Sequence, residues 1–260
     1  MGLNLDAIKA KLNQLNRNDD RRNNLWKPEA GKTRVRIVPY VHRKDNPFLE
    51  LYFHYDIAKR SMLSPVSFGN ADPVVEFAEK LKKTGDKDEW LMGRKIEPKM
   101  RTYVPVIVRG KEADGVKFWG FGKTIYTELL SIVSDPDYGD ITDLMNGRDI
   151  DVEFTPAEGG GYPKTAIRVK PNTSTATDDK AIAEKIMNQP TITDIFPEPT
   201  YEELENALKE WMNPEDDSSD VETTTATTTD TTTTTESGTA AKSEEKQTDV
   251  ASAFNDLFNK

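Results

Sequence analysis

The stretch KMRTYVPVIVR (99–109) alternates in character along its length. Successive side chains of an extended chain point to opposite faces, so Met100, Thr102, Val104, Val106 and Val108 share one side and Lys99, Arg101 and Tyr103 the other. Such alternation predicts a strand with one face on a core and the other toward water. VKFWGFG (116–122) follows the turn-rich GKEADG and predicts the returning arm of a hairpin, with Lys117, Trp119 and Phe121 on one face and Val116 and Phe118 opposite. In TRVRIVPY (33–40), Arg34 and Arg36 face away from Val35 and Ile37. In FLELYFHYDI (48–57), Tyr52 and His54 point one way and Phe53 and Tyr55 the other. RDIDVEFT (148–155) and KTAIRVK (164–170) add two strands around the turn EGGGYP.

Helical spacing appears between these strands. Leu5, Ile8, Leu12 and Leu15 predict a short amphipathic helix over 4–17. DPVVEFAEKLKK (72–83) has an Asp N-cap and lysines in its last turn. TIYTELLSIVS (124–134) is a third helix, and PTYEELENALKEWM (199–212) opens with the capping box Thr200/Glu203. Six or more short strands with inserted helices and no βαβ run predict a mainly β (α+β) fold around a small antiparallel barrel. The expected organisation is an N-terminal segment 1–23 and a core 24–212 with an inserted subdomain at 58–98. A disordered acidic linker (213–249) and a tip (250–260) follow.

The linker expectation rests on composition. Of the 13 residues from Thr223 to Thr235, 11 are Thr, and the surrounding segment has almost nothing apolar to bury. The tip, VASAFNDLFNK, differs: Val250, Phe254, Leu257 and Phe258 fall at i, i+4, i+7 and i+8, one face of a short helix. An apolar tip on a polar tether reads as a docking peptide for partner proteins.

Composition excludes several chemistries. The 260 residues include no cysteine, which removes disulfides and thiolate metal sites, and only two histidines, His42 and His54. No run of about 18 apolar residues occurs and the N-terminus lacks the apolar core of a signal peptide, so a cytoplasmic location is expected. The net charge of −10 is unevenly shared: residues 1–123 carry 25 basic and 16 acidic residues, and residues 124–260 carry 10 and 29. A basic front half and an acidic rear half suggest a polyanion-binding surface with an internal competitor. Asp135, Asp137, Asp140 and Asp143 are dense but read as a solvated loop, and no nucleophile–base pair suggests an enzyme.

Four strands thus offer a face of cations mixed with Tyr or Trp. Cations neutralise phosphates and aromatic rings stack on unpaired bases, the two requirements of single-stranded nucleic-acid binding. The candidate contacts are Arg34, Arg36, Tyr52, His54, Lys59, Arg60, Lys99, Arg101, Tyr103, Lys117, Trp119 and Lys123.

Four segments, LWKPEAGKTRVRIVPY (25–40), PFLELYFHYD (47–56), RTYVPVIV (101–108) and VKFWGFGKTIYTEL (116–129), resemble the single-stranded DNA-binding, helix-destabilising proteins of T4-like bacteriophages. The resemblance spans roughly residues 24–170. It implies an OB-fold cleft that binds single strands cooperatively in replication, recombination and repair, and a tail that recruits replication proteins. It makes Tyr103 and Trp119 base-stacking residues and Lys99, Arg101 and Lys123 phosphate contacts. Three departures stand out. The family's structural zinc uses one His and three Cys; here His54 is accompanied by Ser64, Asp72 and Val75, so no zinc or other cofactor is expected, and apolar packing of Val66, Phe68, Val74, Val75 and Phe77 would hold that subdomain. The family's basic cooperativity motif is absent, leaving Lys9, Lys11, Arg21 and Arg22 as candidates for self-association. PNTSTATDD replaces the aromatics expected after residue 170. The alternatives to single-stranded DNA binding are an OB-fold RNA-binding regulator and an assembly protein that binds no nucleic acid.

Overall fold

The computed structural model describes Lys9 and residues 23–43, 45–58 and 61–212. Its elements are β1 (Leu25–Trp26), β2 (Gly31–Ile37), β3 (Leu49–His54), β4 (Met62–Leu63), α1 (Pro73–Lys83), α2 (Lys87–Ile96), β5 (Lys99–Val108) and β6 (Lys117–Phe121). They continue with α3 (Lys123–Val133), β7 (Arg148–Thr155), β8 (Lys164–Thr173), α4 (Lys180–Met187), α5 (Ile192–Ile195) and α6 (Tyr201–Met212). The chain divides into two compact units, Met1–Tyr52 with Met100–Glu198, and Phe53–Lys99 with Pro199–Lys260.

The strands run in the order β1-β6-β5-β2-β7-β8, and β3 pairs with β5 and β4. A barrel requires the two end strands to pair at a consistent tilt and stagger. Here β1 and β8 end the path without meeting, and β1 joins β6 in parallel. The expected OB-type antiparallel barrel is therefore corrected to an open sheet. Helix and strand contribute about equally, so the fold is mixed α+β rather than mainly β. Alternation reveals which residues share a face but carries no information on closure. The excess of helix comes from α2, α4 and α5, which are short and so leave little periodic signal.

The first unit's core lies on the β5 face expected from the alternation. Val104, Val106 and Val108 join Val35, Ile37, Ile150, Val152 and Leu129. The opposite face of β5 is covered as well, because Ile107 packs with Val38, Val116, Ala176 and Ile186. From Thr102 to Val108 the strand is buried throughout.

The second unit packs Ile57, Val74, Phe77, Ala78, Leu81 and Ile96 with Leu204 and Leu208 of α6. Helix α1 starts as its sequence predicts: Asp72 caps it by accepting from the Val74 and Val75 amides, and Pro73 follows at the first position. Thr200 and Glu203 form the reciprocal capping box before α6, the Glu203 amide donating to Thr200 Oγ1 and the Thr200 amide to Glu203. Helices α1 and α2 cross closely at Gly93, where an added Cβ would lie 2.8 Å from the Ala78 carbonyl oxygen.

Apolar packing alone does not hold the 58–98 region. Val74 and Phe77 are fully buried, but Val66 and Phe68 are 40% and 39% exposed. A polar cluster does much of the work instead. Asp72 Oδ2 accepts from Ser64 Oγ at 2.5 Å and from His54 Nε2 at 2.9 Å, and His54 Nδ1 lies 3.0 Å from the Ile96 carbonyl oxygen. All three side chains are buried. Oxygens facing both ring nitrogens hold the imidazole between the Ile96 carbonyl and the Asp72 carboxyl group. Burial pushes the Asp72 carboxyl up, yet the bonds from His54 and Ser64 and from the Val74 amide outweigh it and hold the group below the usual carboxylate range.

Candidate functional site

The expected wet faces of β5 and β6 lose their aromatic members to register. In an antiparallel pair, residues directly opposite project to the same side. Trp119 pairs with Val104, and Phe118 with Pro105. The indole is thus on the core face beside Val104, 1% exposed, with Trp26 and Phe121 edge-on to it at centroid distances of 5.6 and 4.7 Å. Tyr103 pairs with Gly120, and its ring fills the space a side chain there would need. Phe196 packs on that ring at 4.8 Å, leaving Tyr103 8% exposed. Neither ring is offered to a base.

The arginines of β2 meet partners across the strand pair. Arg34 stands opposite Asp151 and Arg36 opposite Asp149. Arg36 is fully buried and donates through Nε to Asp149 at 3.0 Å, while its other nitrogens donate to the carbonyl and hydroxyl oxygens of Ser174. Burial lowers its pKa against the opposing pull of Asp149. Arg109 joins from beyond β5, donating to the same Asp149 and to the carbonyls of Thr175 and Ala176. Asp151 is 3% exposed and receives Arg34 at 2.9 Å, Lys32 at 2.9 Å and Lys170 at 2.7 Å. Burial pushes its carboxyl up, but hydrogen bonds from Lys170, Arg34 and Lys32 drive it well below the usual range. Conversely, the bond to Asp151 raises the Arg34 pKa. The acidic members were legible in the sequence, since Asp149, Asp151 and Glu153 alternate with Ile150, Val152 and Phe154.

The remaining candidates are scattered in role. His54 belongs to the buried cluster, and Tyr52 is half-buried. Exposed Lys99 is 3.4 Å from Asp56, and exposed Arg101 donates to the Gly120 carbonyl at 3.1 Å. Lys117 donates to the Asn23 carbonyl, and Lys123 is exposed at the first residue of α3. Lys9 is exposed in a helical residue. Lys11, Arg21, Arg22, Lys59, Arg60, Val250, Phe254, Leu257 and Phe258, with the segments 213–249 and 250–260 expected as linker and tip, lie outside the described residues. Among the described residues no group of three or more His, Asp or Glu could hold a metal ion, and the chain has no cysteine. No helix among them is long and apolar enough to cross a membrane.

A surface that sequence reading passed over lies on α2. Asp86 caps this helix by accepting from the amides of Asp88 and Glu89. Gly93 and Ile96 face inward. At 100° per residue, Lys87, Asp88, Leu91, Arg94 and Lys95 then fall on the outward arc, with Trp90 at its edge. Trp90 is 43% exposed and Leu91 50%, and the Arg94 guanidinium sits 5.4 Å from the Trp90 ring centroid. Two large apolar side chains amid three cations give a face with both anchors and charge. The signal was the tetrad KDEW followed by L, easily discounted because the segment lacks an apolar period.

No protein-family model matches the chain, and no curated protein matches its sequence. Together with the open sheet and the buried rings, this removes the basis for placing it among the phage single-stranded DNA-binding proteins. The assignment of replication, recombination and repair roles through an OB-fold cleft goes with it.

Because Asp151 keeps Lys32 and Lys170, Arg34→Ala is expected to cost no more than about 1 kcal/mol in urea unfolding, as exposed members of ion pairs do. A loss several times larger would mean that Arg34 organises the strand pair.

Proposed function

We propose that the protein is a non-catalytic assembly protein that acts by binding other protein chains. The observation that carries this reading is the outer face of α2, where Trp90 and Leu91 stand exposed among Lys87, Arg94 and Lys95. Binding hot spots are enriched in Trp and Arg, and an aromatic anchor beside cations suits a segment that combines apolar side chains with carboxylates. Tyr103 and Trp119, the two rings expected to stack on bases, are committed to the core, which weakens the nucleic-acid reading.

Two measurements test this on the full-length chain. Titration with a dT oligomer and with the matched RNA across a salt series is expected to leave tryptophan fluorescence unchanged. A photo-reactive p-benzoyl-phenylalanine replacing Leu91 in the native cells is expected to give discrete protein adducts, reduced at least fivefold by Arg94→Glu with Lys95→Glu. Steeply salt-dependent quenching, nuclease-sensitive adducts or no adducts would overturn the proposal.

A further inference from the structure

We infer that the outer face of α2 is covered by the chain's own C-terminal tip, residues 250–260, which a partner must displace. This rests on the assembly reading and adds the regulation of its site. Three observations converge. The first is chemical fit. The tip's Val250, Phe254, Leu257 and Phe258 share one face by spacing, and an amphipathic helix of that kind docks its apolar face on apolar anchors. Trp90 and Leu91 provide such anchors, exposed on a helix whose inner face is already occupied by Gly93 and Ile96.

The second is charge complementarity. Residues 244–260 carry Glu244, Glu245, Asp249 and Asp256 against Lys246 and Lys260. Around the anchors, Lys87, Arg94 and Lys95 are exposed, with Asp88 the acidic neighbour on the same helix. Arg94 is only loosely engaged by Glu97, 3.8 Å away, and Glu97 is also bonded to Lys82.

The third is reach. Helix α6 ends at Met212 in the same unit as α2. The intervening 213–249 is polar and rich in Thr, and a random-coil chain of that length would span about 35 Å root-mean-square. Its effective concentration is of the order of millimolar, so even a weak contact within one chain outcompetes the same contact between copies at micromolar protein.

The test uses purified full-length chain carrying p-benzoyl-phenylalanine in place of Leu91. Irradiation is expected to join position 91 to residues 250–260 of the same chain, with a yield unchanged on tenfold dilution. Phe254→Asp with Phe258→Asp is expected to lower that adduct at least tenfold. In chains with Leu91 intact, the same double variant is expected to raise acrylamide quenching of tryptophan fluorescence, since Trp90 loses its cover. No tip adduct, an adduct whose yield follows protein concentration, or quenching unchanged by the variant would overturn the inference. Absence of the tip adduct from purified chain with protein adducts persisting in cells would sink this inference and leave the assembly reading standing. Absence of both would sink both.

Discussion

Asp72→Ala is expected to destabilise the unit containing residues 53–99 by about 3–5 kcal/mol, the usual cost of breaking a buried polar pair by removing one partner, since Asp72 bonds both His54 and Ser64. The same change strips α1 of its N-cap, a further loss of about 1 kcal/mol. Asp72→Asn separates the two effects. Its carbonyl oxygen still accepts from the Val74 and Val75 amides, while its amide group donates to His54 Nε2 and Ser64 Oγ if the ring carries a hydrogen only on Nδ1, bonded to the Ile96 carbonyl. Urea unfolding should therefore show a loss of only about 1–2 kcal/mol for the Asn variant. The pH dependence distinguishes it further. Asp72 has a folded pKa below its unfolded value of roughly 3.9. The stabilisation it contributes is complete above that unfolded value and is lost as pH falls through the folded one. Wild type should lose stability over this acid range and Asp72→Asn should lose less. Equal acid sensitivity in the two proteins would show that the cluster does not depend on the carboxylate's charge.

The strands were legible because alternation is a local property. β7 has the expected limits, 148–155, and β2, β5 and β6 differ from expectation by a few residues at their ends. The helix caps at Asp72 and Thr200 were equally local, each a side chain bonding an amide two or three residues away. What alternation cannot supply is the neighbour. Trp119 appeared to share a solvent face with Lys117, and only the pairing Val104–Trp119 shows that this face is the core. Tyr103 appeared exposed because Phe196, which covers it, lies 93 positions later in a segment without a clear period. Arg34 and Arg36, candidates for phosphate contact by sequence, pair with Asp151 and Asp149 of a strand whose alternation is just as legible. The 58–98 region shows the same limit. The absence of cysteine suggests apolar packing there, but Ser64 and Asp72 form a polar staple around His54, and no spacing rule announces that. The cation-rich half of the chain thus spends much of its charge on internal carboxylates, and a charge tally overstates the surface it offers.

Asp149→Ala tests that last statement at its most buried point. Arg36 is fully buried and keeps only Ser174 and the Asp143 carbonyl when Asp149 is removed. Gly147 leaves room for the guanidinium, since an added Cβ there would stand 3.0 Å from Arg36 Nη1. Arg109, partly exposed, retains the carbonyls of Thr175 and Ala176 but sits beside a second cation no longer neutralised. Removing one side of such a pair costs about 3–5 kcal/mol, which for a unit of this size lowers Tm by on the order of 10 °C. Removing both charges is milder, because the desolvation of the arginine disappears with its partner. The double variant Arg36→Met with Asp149→Ala is accordingly expected to recover about half of the loss in a double-mutant cycle read by urea unfolding. If Arg36 were instead held for an anionic ligand, Asp149→Ala would leave stability nearly unchanged and Arg36→Met would raise it, because a charge kept for binding is a burden on the unliganded fold. The signs of the two single variants therefore separate a structural arginine from a recognition arginine without any ligand being known.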